Sequence, residues 1–182
     1  MLSEKIKEET KSAHLSLEKL VVQQLKSIKN NEDYGNFLKK FYTYFSQVEK
    51  VISPYITSQL LPDYADRRNS SYLENDIKAL GFDVDETMTV PVPKIDNEVA
   101  ALGALYVMEG SIMGGRIIIQ MLEKLGVTEG VSFFSGYGAE TGQKWGVFTK
   151  VMNDTAKTEQ DEEQAVNTAN ETFQLFEKVF AQ

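Results

Sequence analysis

One histidine, His14, and no cysteine stand in this chain. The missing thiols exclude disulfides, thiolate nucleophiles, iron–sulfur clusters and cysteine-bound zinc. A single imidazole is also too few for a ferritin-like di-iron site, which needs two Glu-x-x-His units. On a helix, Lys7, Thr10 and Glu18 fall near the same face as His14. Lys7 lies almost two turns earlier, about 10 Å along the axis. A neutral imidazole with a cation one long side chain away suits a flat, anionic, metal-containing ligand. Glu18, four residues on, can orient the ring through its other nitrogen, or form an ordinary surface pair. Taken by itself, one histidine on an arbitrary helix is more often a surface residue without a role.

The second cluster is glycine. Gly103, Gly110, Gly114 and Gly115 interrupt an apolar run, Ala101 to Ile118, whose pattern is otherwise helical. Each costs a helix interior about 1 kcal/mol relative to alanine. Residues 103, 110 and 114 share one face, so something approaches that backbone closely. Two readings stand: close packing of a second helix through small residues, or a bend over a bound ligand.

Helical periodicity dominates the chain around these residues. Leu2, Ile6, Ala13, Leu17, Leu20, Val21, Leu25 and Ile28 predict one long first helix, and Tyr34 to Ile52 a second that ends near Pro54. A short helix is expected over 69–80, capped by Gly81; a loop over 82–95; a long helix over 96–125, ending at Gly126; a glycine-rich aromatic loop over 130–138; and two final helices over 139–156 and 159–181. Only Thr87–Val92 alternates like a strand. The expectation is an all-α bundle forming a single domain over residues 1–182.

The net charge of −8 argues against nucleic acid, because the longest basic clusters are only Lys39-Lys40 and Arg67-Arg68. Met1 leads into a charged, helix-forming segment, and no run reaches the ~20 apolar residues of a membrane span. A cytoplasmic protein without a membrane partner is expected.

Three segments together resemble the haem oxygenase family, most of all its bacterial members found alongside bacteriophytochromes. Glu9-Thr-Lys-Ser-Ala-His-Leu-Ser-Leu-Glu18 is similar to the proximal helix. Leu102-Gly-Ala-Leu-Tyr-Val-Met-Glu-Gly-Ser-Ile-Met-Gly-Gly-Arg116 is similar to the glycine-rich distal helix. Phe133-Phe-Ser-Gly-Tyr-Gly138, followed by Thr141-Gly142 and Trp145, resembles the bacterial subgroup. The order and spacing fit nearly the whole chain.

The resemblance implies that haem is both prosthetic group and substrate, with His14 as the iron ligand. It implies that Glu18 orients His14, that Lys7 faces a propionate, and that Thr10 touches haem. Gly110 and Gly114 would leave room for dioxygen, and waters held by Ser111 would deliver protons. The products would be biliverdin, carbon monoxide and iron, with electrons from a ferredoxin, flavodoxin or reductase. Two departures stand out. Ser111 replaces the aspartate of the animal enzymes, as it does in the bacterial subgroup. The animal family's second propionate anchor falls near Thr149, where Lys150 or Lys144 can substitute. Rival readings are a haem-binding or haem-transfer protein of the same fold without turnover, and an interaction module in which His14 is idle. Thiaminase-type enzymes share a related architecture but commonly use a cysteine, absent here.

Overall fold

The computed structural model describes residues 1–182 and contains eight α-helices and no strand. They are α1 (Leu2–Glu9), α2 (Lys11–Ser27), α3 (Asn31–Ile52), α4 (Ser70–Ala79), α5 (Glu98–Met113), α6 (Gly115–Lys124), α7 (Thr141–Thr155) and α8 (Glu159–Phe180). Helix starts are written in the sequence. Asn30, Asn69 and Asn97 each accept a hydrogen bond from a first-turn N–H, and Thr158 with Asp161 forms a reciprocal capping box. At the ends of α4 and α6, Gly81 and Gly126 take φ of +89° and +77°, which lets the next N–H reach back to the helix carbonyls.

Two expected helices are each broken into two. The first divides at Thr10, whose hydroxyl donates to Ile6 O at 2.6 Å; such back-bonding bends helices. The expected helix over 96–125 divides at Gly114. Thr87–Val92 forms no strand; Val90 and Val92 rest partly buried on the core as loop residues.

Helix α5 runs through the middle of the bundle and packs most extensively on α8. A knot of aromatic rings fills the centre. Phe41 makes edge contacts to Phe45, Phe134, Phe176 and Phe180 at centroid distances of 5.1–5.5 Å, an arrangement favoured by ring quadrupoles. The buried phenols of Tyr34 and Tyr44 donate to Gly130 O and Thr172 O at 2.6 and 2.7 Å. The aromatic loop after α6 has no regular structure over 131–137, yet Phe133 and Phe134 are buried. Asp76 of α4 holds it: one carboxylate accepts from Ser132 N, Ser132 Oγ and Phe133 N at 2.6–3.0 Å.

Read together, residues 98–124 are long and apolar enough to cross a membrane, which corrects the expectation that no run approaches that length. Half of the most apolar window is buried in the core, and the helix breaks at Gly114. A central core helix has this composition for packing reasons.

Candidate functional site

A cleft of about 380 Å³ opens between α2 on one side and α5–α6 on the other, with Phe41 of α3 and Phe173 and Phe176 of α8 at its base. That volume lies in the range of small-molecule sites. Thirteen of its eighteen lining residues are hydrophobic, so a ligand filling it must be largely apolar. Leu17, Val21, Val22 and Leu25 extend the α2 wall, and Ile117, Ile118 and Met121 the α6 wall.

His14 is exposed into this cleft. Its ring stacks on Phe173 with centroids 5.5 Å apart and planes 28° from parallel, which fixes the imidazole plane against α8. Glu18 lines the same wall one turn on, and no hydrogen bond or ion pair joins it to His14. Across the gap, Tyr106, Gly110, Met113, Gly114 and Ile117 form the facing stripe of α5 and α6. Ser111 also lines the cleft. Its hydroxyl donates to Val107 O at 3.0 Å, leaving the oxygen's lone pairs free to accept. That back-bond and Gly114 act together at the break between α5 and α6.

The glycines separate into two kinds. A Cβ on Gly103 would lie 2.4 Å from Ala165 O, and one on Gly115 would lie 2.2 Å from Phe134 O. Those two are packing glycines. A Cβ on Gly110 would meet nothing within 4 Å, and one on Gly114 only its own helix backbone, no closer than 3.7 Å. Of the three glycines on one face, 103 serves the helix contact while 110 and 114 leave open space over the cleft. The packing reading therefore holds at 103 and 115, while 110 and 114 leave open space on the cleft side.

With the cleft described, comparison with known proteins decides the family. The family model described as haem oxygenase matches residues 1–182, the whole chain. The chain belongs to the haem oxygenase family. It is 31% identical to the haem oxygenase of Xanthomonas campestris pv. campestris over 93 residues, which is 51% of this chain and 54% of that one. That match thus spans about half the length of the Xanthomonas relative. It is 26% identical to haem oxygenase PigA of Pseudomonas aeruginosa over 181 residues, covering 94% of this chain and 89% of PigA. Its fold is similar to that of the NO- and CO-bound haem oxygenase of Neisseria meningitidis, with a TM-score of 0.84 at 23% identity, covering 99% of this chain and 90% of that one.

Not every residue expected at a haem oxygenase site reaches the cleft. His14, Glu18, Gly110, Ser111 and Gly114 line it; Lys7, Thr10 and Lys150 do not. Lys7 is exposed on α1, beyond the break at Thr10. Thr10 is buried, its hydroxyl given to Ile6 O. It also faces the cleft-lining phenol of Tyr106, whose pKa burial raises and Thr10 partly restrains. Lys150 is exposed and paired with Asp154 on its own helix. Lys144 is already engaged: its ammonium lies 2.9 Å from Asp63.

Sequence reasoning missed a polar cluster on the flank of α5, outside the cleft lining. Arg67, 1% exposed, donates twice to Asp63 (2.9 and 3.1 Å), to Glu109 (2.8 Å) and to Lys144 O (3.0 Å). Tyr137 Oη donates to Glu109 at 3.3 Å and accepts from Arg68 N at 3.0 Å. Burial pushes the Glu109 carboxyl up, against the pull of Arg67. Burial acts the same way on Asp63, but Arg67 and Lys144 outweigh it and hold that carboxyl below its usual range. Two signals pointed here: Glu109 is the lone charge within the apolar run from Val99 to Ile112, and Asp63 precedes Arg67 by four residues.

Proposed function

We propose that this chain is a haem oxygenase that opens haem to biliverdin, carbon monoxide and iron in the cytoplasm, acting as a single domain. One observation carries the reading: the chain's only imidazole faces, across an apolar cleft, the two glycines of the α5–α6 stripe that touch no other element. That donor set fits haem. Apolar walls take the macrocycle, one neutral imidazole takes the iron, and the opposite wall presents no side chain at two positions. Bound there, haem is the substrate and also supplies the redox-active iron that engages dioxygen, with electrons from an external ferredoxin, flavodoxin or reductase.

The chain's own residues bind, orient and deliver protons. His14 holds the iron, its ring plane set by Phe173. Glu18, in the same wall, holds the imidazole's second nitrogen through a water or after a rotamer change, which raises ligand basicity. Gly110 and Gly114 admit a small molecule to the distal side while the helix backbone limits the directions it can point. Ser111, its own proton given to Val107 O, would hold a water by accepting from it, and that water's other proton is the one free to move, with no charge added to the cleft. Lys7 on α1 and Lys150 on α7 act at most on the propionates, outside the cleft lining, and Thr10 acts through Tyr106.

The test is a hemin titration followed by a reductant in air. A Soret band that forms with wild type and changes with His14→Ala, followed by the visible absorption of biliverdin, is the expected result. Stable haem binding with no tetrapyrrole product under several electron donors would replace the reading by haem binding without turnover.

A further inference from the structure

The cluster around Glu109 lies on a flank of α5, contributes no side chain to the cleft lining, and has no part in the steps above. We infer that Glu109 is a positioning residue for the haem oxygenase reaction: its buried bond to Arg67 pins the flank of α5 so that Gly110 and Ser111 keep their aim into the cleft. The inference rests on the proposed function for its relevance to haem and on this chain's geometry for its substance.

Glu109 is 3% exposed and immediately precedes Gly110. Arg67 spends its guanidinium on three separate elements: the turn at Asp63, α7 through Lys144 O, and α5 through Glu109. Tyr137 adds the aromatic loop, bonding Glu109 on one side and Arg68 N on the other. The cluster is charge-balanced, with Arg67 and Lys144 facing Asp63 and Glu109. A buried ion pair is often no more stabilising than apolar groups of the same size. What it adds is direction, because a fork-shaped guanidinium meets a carboxylate in few geometries. Direction is what this stretch of α5 needs. Beyond Glu109 come Gly110, a back-bonded serine and the break at Gly114, with the core residue Ile112 and the Gly115–Phe134 contact as the other holds on this stretch.

The test uses the whole chain, with Glu109→Gln and the paired Arg67→Met/Glu109→Leu. The pair removes the pin without leaving a buried charge alone, so it stays folded if the single variant does not. Amide hydrogen exchange is read first without haem. In whichever variants fold, the amides of Gly110 to Gly115 should exchange at least about tenfold faster than in wild type, while those of α8 stay within about twofold. With hemin added and reduced under carbon monoxide, the C–O stretch should broaden or split, as the distal wall samples several arrangements. Junction amides that exchange at the wild-type rate in a folded variant would overturn the inference. So would failure of both variants to fold, since the cluster would then be a general support of the fold. A wild type that never binds hemin would instead remove the proposed function and leave the exchange result standing.

Discussion

Alanine at each glycine of the α5–α6 segment turns the geometry into opposed signs. At Gly110 the new methyl enters open space, so the helix gains the propensity difference between glycine and alanine. That is about 0.5–1 kcal/mol, or roughly 1–4 °C in Tm for a chain of this size. At Gly103 the methyl would stand 2.4 Å from the Ala165 carbonyl oxygen, a backbone atom that cannot rotate away. The α5–α8 contact must open, at the overpacking cost of about 1–3 kcal/mol, or roughly 2–12 °C lower. Activity should run the other way. Gly110→Ala narrows the distal side of the cleft and Gly110→Leu fills it, so biliverdin formation falls stepwise while hemin still binds through His14. Gly103→Ala, if folded at the assay temperature, keeps its products. Tm by scanning calorimetry and turnover by visible absorption separate the two. A Gly110→Ala protein destabilised as much as Gly103→Ala would refute the division into cleft and packing glycines. A fully active Gly110→Leu protein would refute the placement of the reaction in this cleft.

His14→Ala should alter the Soret band and weaken hemin binding, and added imidazole should restore a ligated spectrum; an unchanged titration would remove His14 as ligand. Lys7→Ala and Lys150→Ala should each weaken hemin affinity by no more than about fivefold, the scale of exposed ion pairs, without changing the iron spectrum; complete loss of binding by a folded variant would show that a cation outside the lining anchors the ligand. Asp63, held below its usual range, contributes stability that is present above the unfolded carboxylate pKa and lost as pH falls through its lower folded value. Asp63→Asn should therefore cost Tm at pH 7, and the gap to wild type should close as pH falls below the ordinary carboxylate range; a gap that persists in strong acid would mean the loss is not electrostatic.

The helices, their caps and both cleft walls were legible because they are local. Asn30, Asn97 and Gly81 announce their roles within three or four residues, and His14 and Gly110 stand out by rarity and spacing. The helix break at Thr10 was not legible, and the one at Gly114 was legible only as a bend that the glycine run allowed. An apolar period carries straight through Thr10 and Gly114, and only a hydroxyl's choice of acceptor and the close approach of Phe134 interrupt it. The membrane-like hydropathy of residues 98–124 misleads for a related reason, since a helix surrounded by its own protein and one surrounded by lipid are selected for the same surface. The Arg67–Glu109 pair escaped because its partners are 42 residues apart: Glu109 stands out in its apolar run, but nothing local names the cation that meets it. Lys150 is the reverse case: a cation at a suggestive sequence distance, spent on its own helix.

The carboxylate of Asp76 leaves the aromatic loop little independence. A stretch without helix or strand ordinarily frays by itself, but here the N–H groups of Ser132 and Phe133 end on a side chain that belongs to α4. Loop and helix therefore open as one cooperative unit, and protection of those two amides reports on the docking of α4 and not on local motion. Because Phe134 from the same loop abuts Gly115, loosening α4 would be felt at the start of α6, next to the cleft-lining Gly114.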